Sequence, residues 1–176
     1  MNNPKIILIL GGCRSGKSRH ALQLARQYQG KRNLFIATCV PADKEMKLRV
    51  ARHQSERGKE WATLEIPIHL AGAIKTESPQ ADVILVDCLT LWMSNLIMET
   101  AKQDEIDTFV GHLTDALAAS QCPVIIVSNE VGTGIVPDNA LARRYRDAAG
   151  WMNQAVAGVA DRVILTVAGI PVDVKA

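Results

Sequence analysis

Apolar residues fall along this chain in short, dense runs separated by longer stretches in which they recur every three or four positions. Ile6–Leu10, Leu34–Thr38, Val83–Asp87, Val124–Ser128 and Val163–Val167 are dominated by apolar residues rather than alternating, the pattern of strands covered on both faces in a parallel sheet. Between them, Ser18–Tyr28, Asp43–Arg57, Leu89–Thr100, Glu105–Ser120 and Ala140–Ala160 carry helical periodicity. Pro137-Asp138-Asn139 ahead of the last stretch is a helix start signal. Pro67–Pro79 reads as irregular chain, too short and too apolar to separate two domains. Strand and helix alternate throughout, which predicts one α/β domain over residues 1–176 with a mostly parallel, doubly wound sheet flanked by helices.

Composition narrows the function classes. At 176 residues, 48% hydrophobic and 22% charged, the chain can bury a full core. Twenty Lys and Arg against 18 Asp and Glu leave +2, so no polybasic surface argues for nucleic acid as the partner. Aromatic residues are 4% of the chain, too few for base-stacking platforms. The apolar runs are strand-sized, which predicts no membrane span, and the first ends in Gly11-Gly12 rather than in a signal cleavage site. Cys13, Cys39, Cys88 and Cys122 are dispersed, with neither zinc-ligand nor disulfide-framework spacing. For the first three, small buried thiols are the expectation. A cytoplasmic α/β protein is the starting point.

Gly11-Gly12-Cys13-Arg14-Ser15-Gly16-Lys17-Ser18 fits G-x-x-x-x-G-K-[ST], with a buried strand running into it and a helix leaving it. Glycines let backbone N–H groups converge on a phosphate chain at a helix N-terminus, where peptide dipoles favour anions. Lys17 would reach the β- and γ-phosphates and the Ser18 hydroxyl would ligate Mg²⁺. This predicts a nucleotide site. Val83-Ile84-Leu85-Val86-Asp87 supplies the second acid such a site uses, expected at the end of a neighbouring strand beside the phosphate loop; a helix-capping aspartate is the simpler alternative. The pattern argues against a regulatory GTPase, because Ser128-Asn129-Glu130-Val131-Gly132 stands where an Asn-Lys-x-Asp guanine reader would be needed and Asp87 is not followed by the glycine of a switch segment.

The 43–57 stretch carries five cationic side chains and one imidazole, with Arg49, His53 and Arg57 stacked at i, i+4 and i+8. Flanking guanidinium groups disfavour the imidazolium, leaving a neutral, nucleophilic ring and a grip on phosphate. From spacing alone a solvated basic helix face is the default. His20 fits helix packing better than phosphate contact, and His69 and His112 read as surface residues. The Arg143-Arg144-Tyr145-Arg146 cluster reads as a contact for substrate phosphate or a neighbouring subunit, or equally as a solvated face. Trp61, Trp92 and Trp151 are expected in core or interface packing, with a substrate site as the alternative.

Read together, these segments resemble the bifunctional adenosylcobinamide kinase/adenosylcobinamide-phosphate guanylyltransferase family of cobalamin biosynthesis. The match runs from residues 11–18 through Ala37-Thr38, the Arg49, His53, Arg57, Trp61, Thr63, Glu65 array, and Asp87-Cys88-Leu89-Thr90 with Trp92 and Asn95. It continues through Asn129-Glu130-Val131-Gly132-Thr133-Gly134-Ile135-Val136-Pro137 to Arg143, Arg146-Asp147, Gly150 and Asn153-Gln154. The resemblance implies a RecA-like P-loop NTPase fold and two reactions. Adenosylcobinamide is phosphorylated on its aminopropanol hydroxyl with ATP or GTP; GMP then passes from GTP to adenosylcobinamide phosphate through a GMP-histidine intermediate. It makes His53 the nucleophile and Lys17 the second catalytic residue. It also implies nucleotide contacts from Gly11, Gly12, Cys13, Arg14, Ser15, Gly16, Lys17, Ser18, Thr38, Cys39, Val40, Gln54, Ser55, Glu56, Arg57, Glu65 and Asp87. Mg²⁺ would sit on Ser18 and Asp87, and a homotrimer is implied. A small-molecule P-loop kinase without guanylyl transfer, or a RecA-like ATP-binding regulatory module, are the alternative readings.

Overall fold

The computed structural model describes residues 5–28, 30–40, 58, 60–100 and 102–176. The expected helix over Asp43–Arg57, and with it His53 and Gln54 through Arg57, lies outside the described residues. The elements run β1 (Ile6–Gly11), α1 (Lys17–Ala25), β2 (Asn33–Ala37), β3 (Trp61–Glu65), α2 (Leu70–Glu77), β4 (Val83–Asp87), α3 (Leu89–Glu99), α4 (Gln103–Ala118), β5 (Val124–Asn129), α5 (Ala140–Val159), β6 (Arg162–Val167) and β7 (Ile170–Lys175).

One seven-stranded sheet has the order β3-β2-β4-β5-β1-β6-β7. Every pairing is parallel except the closing β6–β7 hairpin. The strands read from dense apolar runs form its middle, and Leu8, Ile9, Ile36, Val83, Ile84, Val86 and Val127 are wholly buried. Each such side chain contributes roughly 1.5–3 kcal/mol on leaving water. One layer packs α2, α3, α4 and α5 on one face of the sheet. On the other face α1 supplies Ala21, Leu24 and Ala25. The doubly wound reading holds.

Three elements depart from expectation. Within Pro67–Pro79, read as irregular, residues 70–77 form α2, a two-turn helix that buries Leu70 and Ile74 despite carrying Gly72. β3 and β7 are sheet edges, and an edge needs no dense apolar run: β3 buries only Trp61, and β7 buries nothing. β7 is reached through Ala168-Gly169, both with positive φ (50° and 84°), as a two-residue hairpin turn requires. The last helix starts where the sequence signals it, Asn139 capping α5 by accepting from the Ala142 N–H at 3.1 Å. A further correction concerns Asp87. Its strand β4 is not the neighbour of β1, because β5 lies between them.

Candidate active site

The register aligns the carboxyl ends of the parallel strands along one edge. Gly11 pairs with Asn129, Asp87 with Val127 and Ala37, and Ala37 with Glu65. The phosphate loop, Thr38–Val40, Glu65 and Asp87 therefore share that edge, where ligands of open α/β sheets collect. At about 4.8 Å per strand, Asp87 lies two spacings (about 10 Å) from β1 and Glu65 four spacings (about 19 Å).

The loop between β1 and α1 turns through left-handed Arg14 (φ 56°) and Gly16 (φ 94°), and Gly16 caps α1. Lys17 opens the helix and folds back across the loop, its Nζ donating to Gly12 O at 3.0 Å. Gly12, Cys13 and Arg14 form an exposed rim. The exposed Cys13 contradicts the buried-thiol expectation, because a loop that presents its backbone to a ligand has no interior for that side chain. Cys39 is half-buried and Cys88 buried. Gly11 cannot be replaced: a Cβ there would collide with Ser15 Oγ and come within 2.7 Å of Thr166 O. The β6–β7 turn backs the loop, Gly169 N donating to Ser15 O at 2.8 Å, and a Cβ on Gly16 would lie 3.2 Å from Gly169 Cα.

Beyond β1 the strand ends are tied by buried polar groups. Thr38 Oγ1 donates to Cys88 O at 2.7 Å and accepts from Cys88 N at 3.0 Å, locking the end of β2 to the start of α3. Thr38 O accepts from Asn95 Nδ2, which also donates to Pro67 O. Thr38 thus enters the site as a brace with its polar groups committed. On the β5 side, Asn129 Nδ2 donates to Thr90 Oγ1, Ser128 Oγ to Asn153 Oδ1, and Asn153 Nδ2 to Asn129 O. Asn153 is the polar member of an otherwise apolar inner stripe of α5 (Ala149, Met152, Val156), the one signal by which this partnership was open to detection. Reading the residues chemically did not find it.

Burial pushes the Cys88 thiol up to about 11, the Asp87 carboxylate adds to the shift, and the Lys17 ammonium opposes it. Two residues from separate elements thus act on one sulfur. Mg²⁺ fits the donor set. Among the described residues no three metal-binding side chains gather into a protein cage, whereas Ser18 in the first turn of α1 and Asp87 at the end of β4 offer two oxygens. That is the share Mg²⁺ takes from protein at phosphate sites, the rest coming from phosphates and water.

Of the remaining histidines, His69 and His112 are exposed as expected. His20 is half-buried, and its Nε2 bonds to no described residue. Trp61 and Trp92 are core residues, whereas Trp151 is 57% exposed.

A glycine-bound phosphate loop opening a helix, with a strand-end carboxylate two strands away, defines a P-loop nucleotide-binding protein. The fold agrees with that class: the flagellar accessory protein FlaH from Methanocaldococcus jannaschii is similar at TM-score 0.53 and 14% identity, over 97% of this chain and 78% of that one. The RadB recombinase is similar at 0.51 and 15%, over 91% and 73%. These likenesses give a RecA-like P-loop fold. Residues 7–174 match the model of the family described as cobinamide kinase / cobinamide phosphate guanyltransferase, and the chain belongs to that family. It is 45% identical to the bifunctional adenosylcobalamin biosynthesis protein CobP of Pseudomonas aeruginosa over 96% of both chains. It is 40% identical to the CobU protein of the same description from Salmonella typhimurium, over 97% of this chain and 99% of that protein.

Proposed function

We propose that this chain performs both reactions of its family on one nucleotide site. Adenosylcobinamide is phosphorylated on its aminopropanol hydroxyl, with ATP or GTP as donor, and GMP is then transferred from GTP to the new phosphate, releasing pyrophosphate. The observation that carries the reading is the single phosphate loop, with Lys17 folded over it, in a chain that matches the family almost end to end.

In the kinase step the loop N–H groups and Lys17 bind the β- and γ-phosphates and neutralise charge that develops as the γ-phosphoryl group moves to the acceptor oxygen. Ser18 and Asp87 would hold Mg²⁺, which would supply further charge neutralisation when bound. In the transfer step an imidazole nitrogen of His53 attacks the α-phosphorus of GTP. A P–N bond forms and the P–O bond to pyrophosphate breaks. An acceptor phosphate oxygen then attacks the same phosphorus and the P–N bond breaks, restoring the imidazole. Cys88 is no rival nucleophile: with its thiol held up at about 11 by burial, it is neutral at pH 7. The reading also carries contacts to GTP from Gln54, Ser55, Glu56, Arg57 and Glu65, a homotrimer and a cytoplasmic location. No helix among the described residues is long and apolar enough to cross a membrane.

The test follows the label. A phosphorus–imidazole bond is acid-labile and alkali-stable, so protein incubated with Mg²⁺ and α-labelled GTP retains label with those properties, and γ-labelled GTP leaves none. His53→Ala and His53→Asn lose the label and guanylyl transfer but still phosphorylate adenosylcobinamide. Label persisting in both variants moves the nucleophile elsewhere; guanylyl transfer proceeding without label excludes the covalent route; a wild-type chain that only phosphorylates is the kinase alone.

A further inference from the structure

Outside the phosphate loop, a concavity lies between the 132–136 loop and the outer stripe of α5. Arg143, Arg146, Asp147 and Trp151 lie on one helical face and, with Gly132 and Val136, line a cleft of about 400 Å³. Both guanidinium groups are positioned by backbone rather than by carboxylates. Arg143 Nη1 donates to Pro137 O at 2.9 Å and to Asp138 O at 2.7 Å, and Arg146 Nη2 donates to Gly132 O. Neither pairs with an acid among the described residues, and Asp147, in the same cleft, forms no ion pair with them. Of its five N–H donors a guanidinium spends only one or two in this way. Two cations are therefore fixed in place with most of their donors unspent.

The cleft is also within reach of the chemistry. The 130–136 loop leaves β5 beside β1, and Glu130 N donates to Gly11 O at 3.2 Å. Gly132 is two residues on, at most about 7 Å of chain. A group seated against Arg146 thus lies at the flank of the phosphate loop.

We propose that this cleft binds the acceptor, and that Arg146 and Arg143 grip the acceptor's own phosphate in the second reaction. Guanidinium pairs suit a phosphate dianion by charge and by paired N–H geometry. The two reactions differ in what they ask of an acceptor site: the first substrate offers a neutral hydroxyl, the second a phosphate monoester at the same position. A cationic cleft beside one nucleotide site distinguishes them, retaining the product of the first step as the substrate of the second. The exposed face of Trp151 and Val136 supplies apolar contact for the body of the acceptor.

The proposal rests on the two-reaction reading, and the experiment separates their failures. Arg146→Gln and Arg143→Gln are compared with wild type by titrating each acceptor at saturating GTP, with sedimentation of each variant alongside. In Arg146→Gln the KM for adenosylcobinamide phosphate rises at least tenfold, while that for adenosylcobinamide rises less than threefold and α-label on the protein still forms. Arg143→Gln moves the same way by a smaller factor. Aminopropanol O-phosphate competes with the phosphorylated acceptor on wild type and loses that competition in Arg146→Gln. Equal changes for both acceptors, or no change for either, overturn the assignment. So does a change of oligomeric state with acceptor KM intact, which would make the cleft a contact between copies. A wild-type chain inactive on both acceptors removes the two-reaction reading itself.

Discussion

Two regions at the carboxyl edge of the sheet treat their polar groups in opposite ways. Around β2, β4 and β5 the buried hydroxyls and amides are committed: Thr38 makes two bonds to Cys88, and Asn95, Asn129 and Asn153 each bind across elements. Around the phosphate loop, Ser15 Oγ and Thr166 Oγ1 of the adjoining β6 are buried and bond to no described residue, and among the described residues Lys17 donates to the carbonyl of Gly12. A buried polar group without a partner costs about 1–3 kcal/mol, so a loop that tolerates such groups trades stability for readiness to bind. The satisfied region holds the strand ends in register; the unsatisfied one carries the phosphate loop.

The largest expected effect breaks the comparison at Lys17. Lys17→Ala lowers both the kinase and the guanylyl transfer rates by at least about a hundredfold, because one ammonium serves both transition states. Its melting temperature stays close to wild type, since the side chain contributes one hydrogen bond to folding. Retention of full guanylyl transfer alongside loss of kinase activity would require a second nucleotide site and end the one-site reading.

Paired substitutions sharpen the contrast next. Thr38→Val keeps the shape of the side chain and strips the buried Cys88 N–H and carbonyl of their partner, at a cost of about 2–3 kcal/mol in denaturant unfolding. Ser15→Ala removes a hydroxyl that bonds to nothing described, so unfolding free energy stays the same or rises by up to about 1 kcal/mol, while nucleotide KM increases. If Ser15→Ala destabilised as much as Thr38→Val, the distinction between the two regions would fail.

The sequence revealed these regions unevenly. Buried parallel strands announce themselves, because both faces must be apolar, and the phosphate loop announces itself through glycines whose spacing no other role demands. Edges do not: β7 interleaves Ile170, Val172 and Val174 with Pro171, Asp173 and Lys175 and buries none of them, so it lacks a core signal. Strand order is hidden too, so a strand-end carboxylate reads as belonging next to β1 when β5 lies between them. Braces were the least legible. Thr38 and Cys88 are 50 residues apart, and nothing in either segment marks the other as its partner. The Arg143–Arg146 cluster was visible as charge, but whether it faced solvent, an acid or a cleft depended on the 132–138 carbonyls folding over it.

The smallest expected effect lies one turn into α1, behind the phosphate loop. Burial lowers the His20 pKa, with repulsion from Arg162 adding to it and Asp173 partly opposing it. Folded protein therefore binds fewer protons at this site than unfolded chain, whose imidazole titrates near 6.5. The sign follows: the contribution is fully present above about pH 6.5 and is lost as pH falls below it. Because the side chain is partly exposed, solvent screening keeps the effect on melting temperature small. His20→Gln, which cannot charge, flattens this part of the profile between pH 7.5 and 5.5. The Arg162–Asp173 pair, bonded at 2.6 and 2.9 Å, stays intact in the variant. Its low-lying carboxylate titrates below that window, so the difference between the two profiles isolates the imidazole. Parallel profiles for wild type and variant would show that the imidazole behind the phosphate loop carries no linkage to folding.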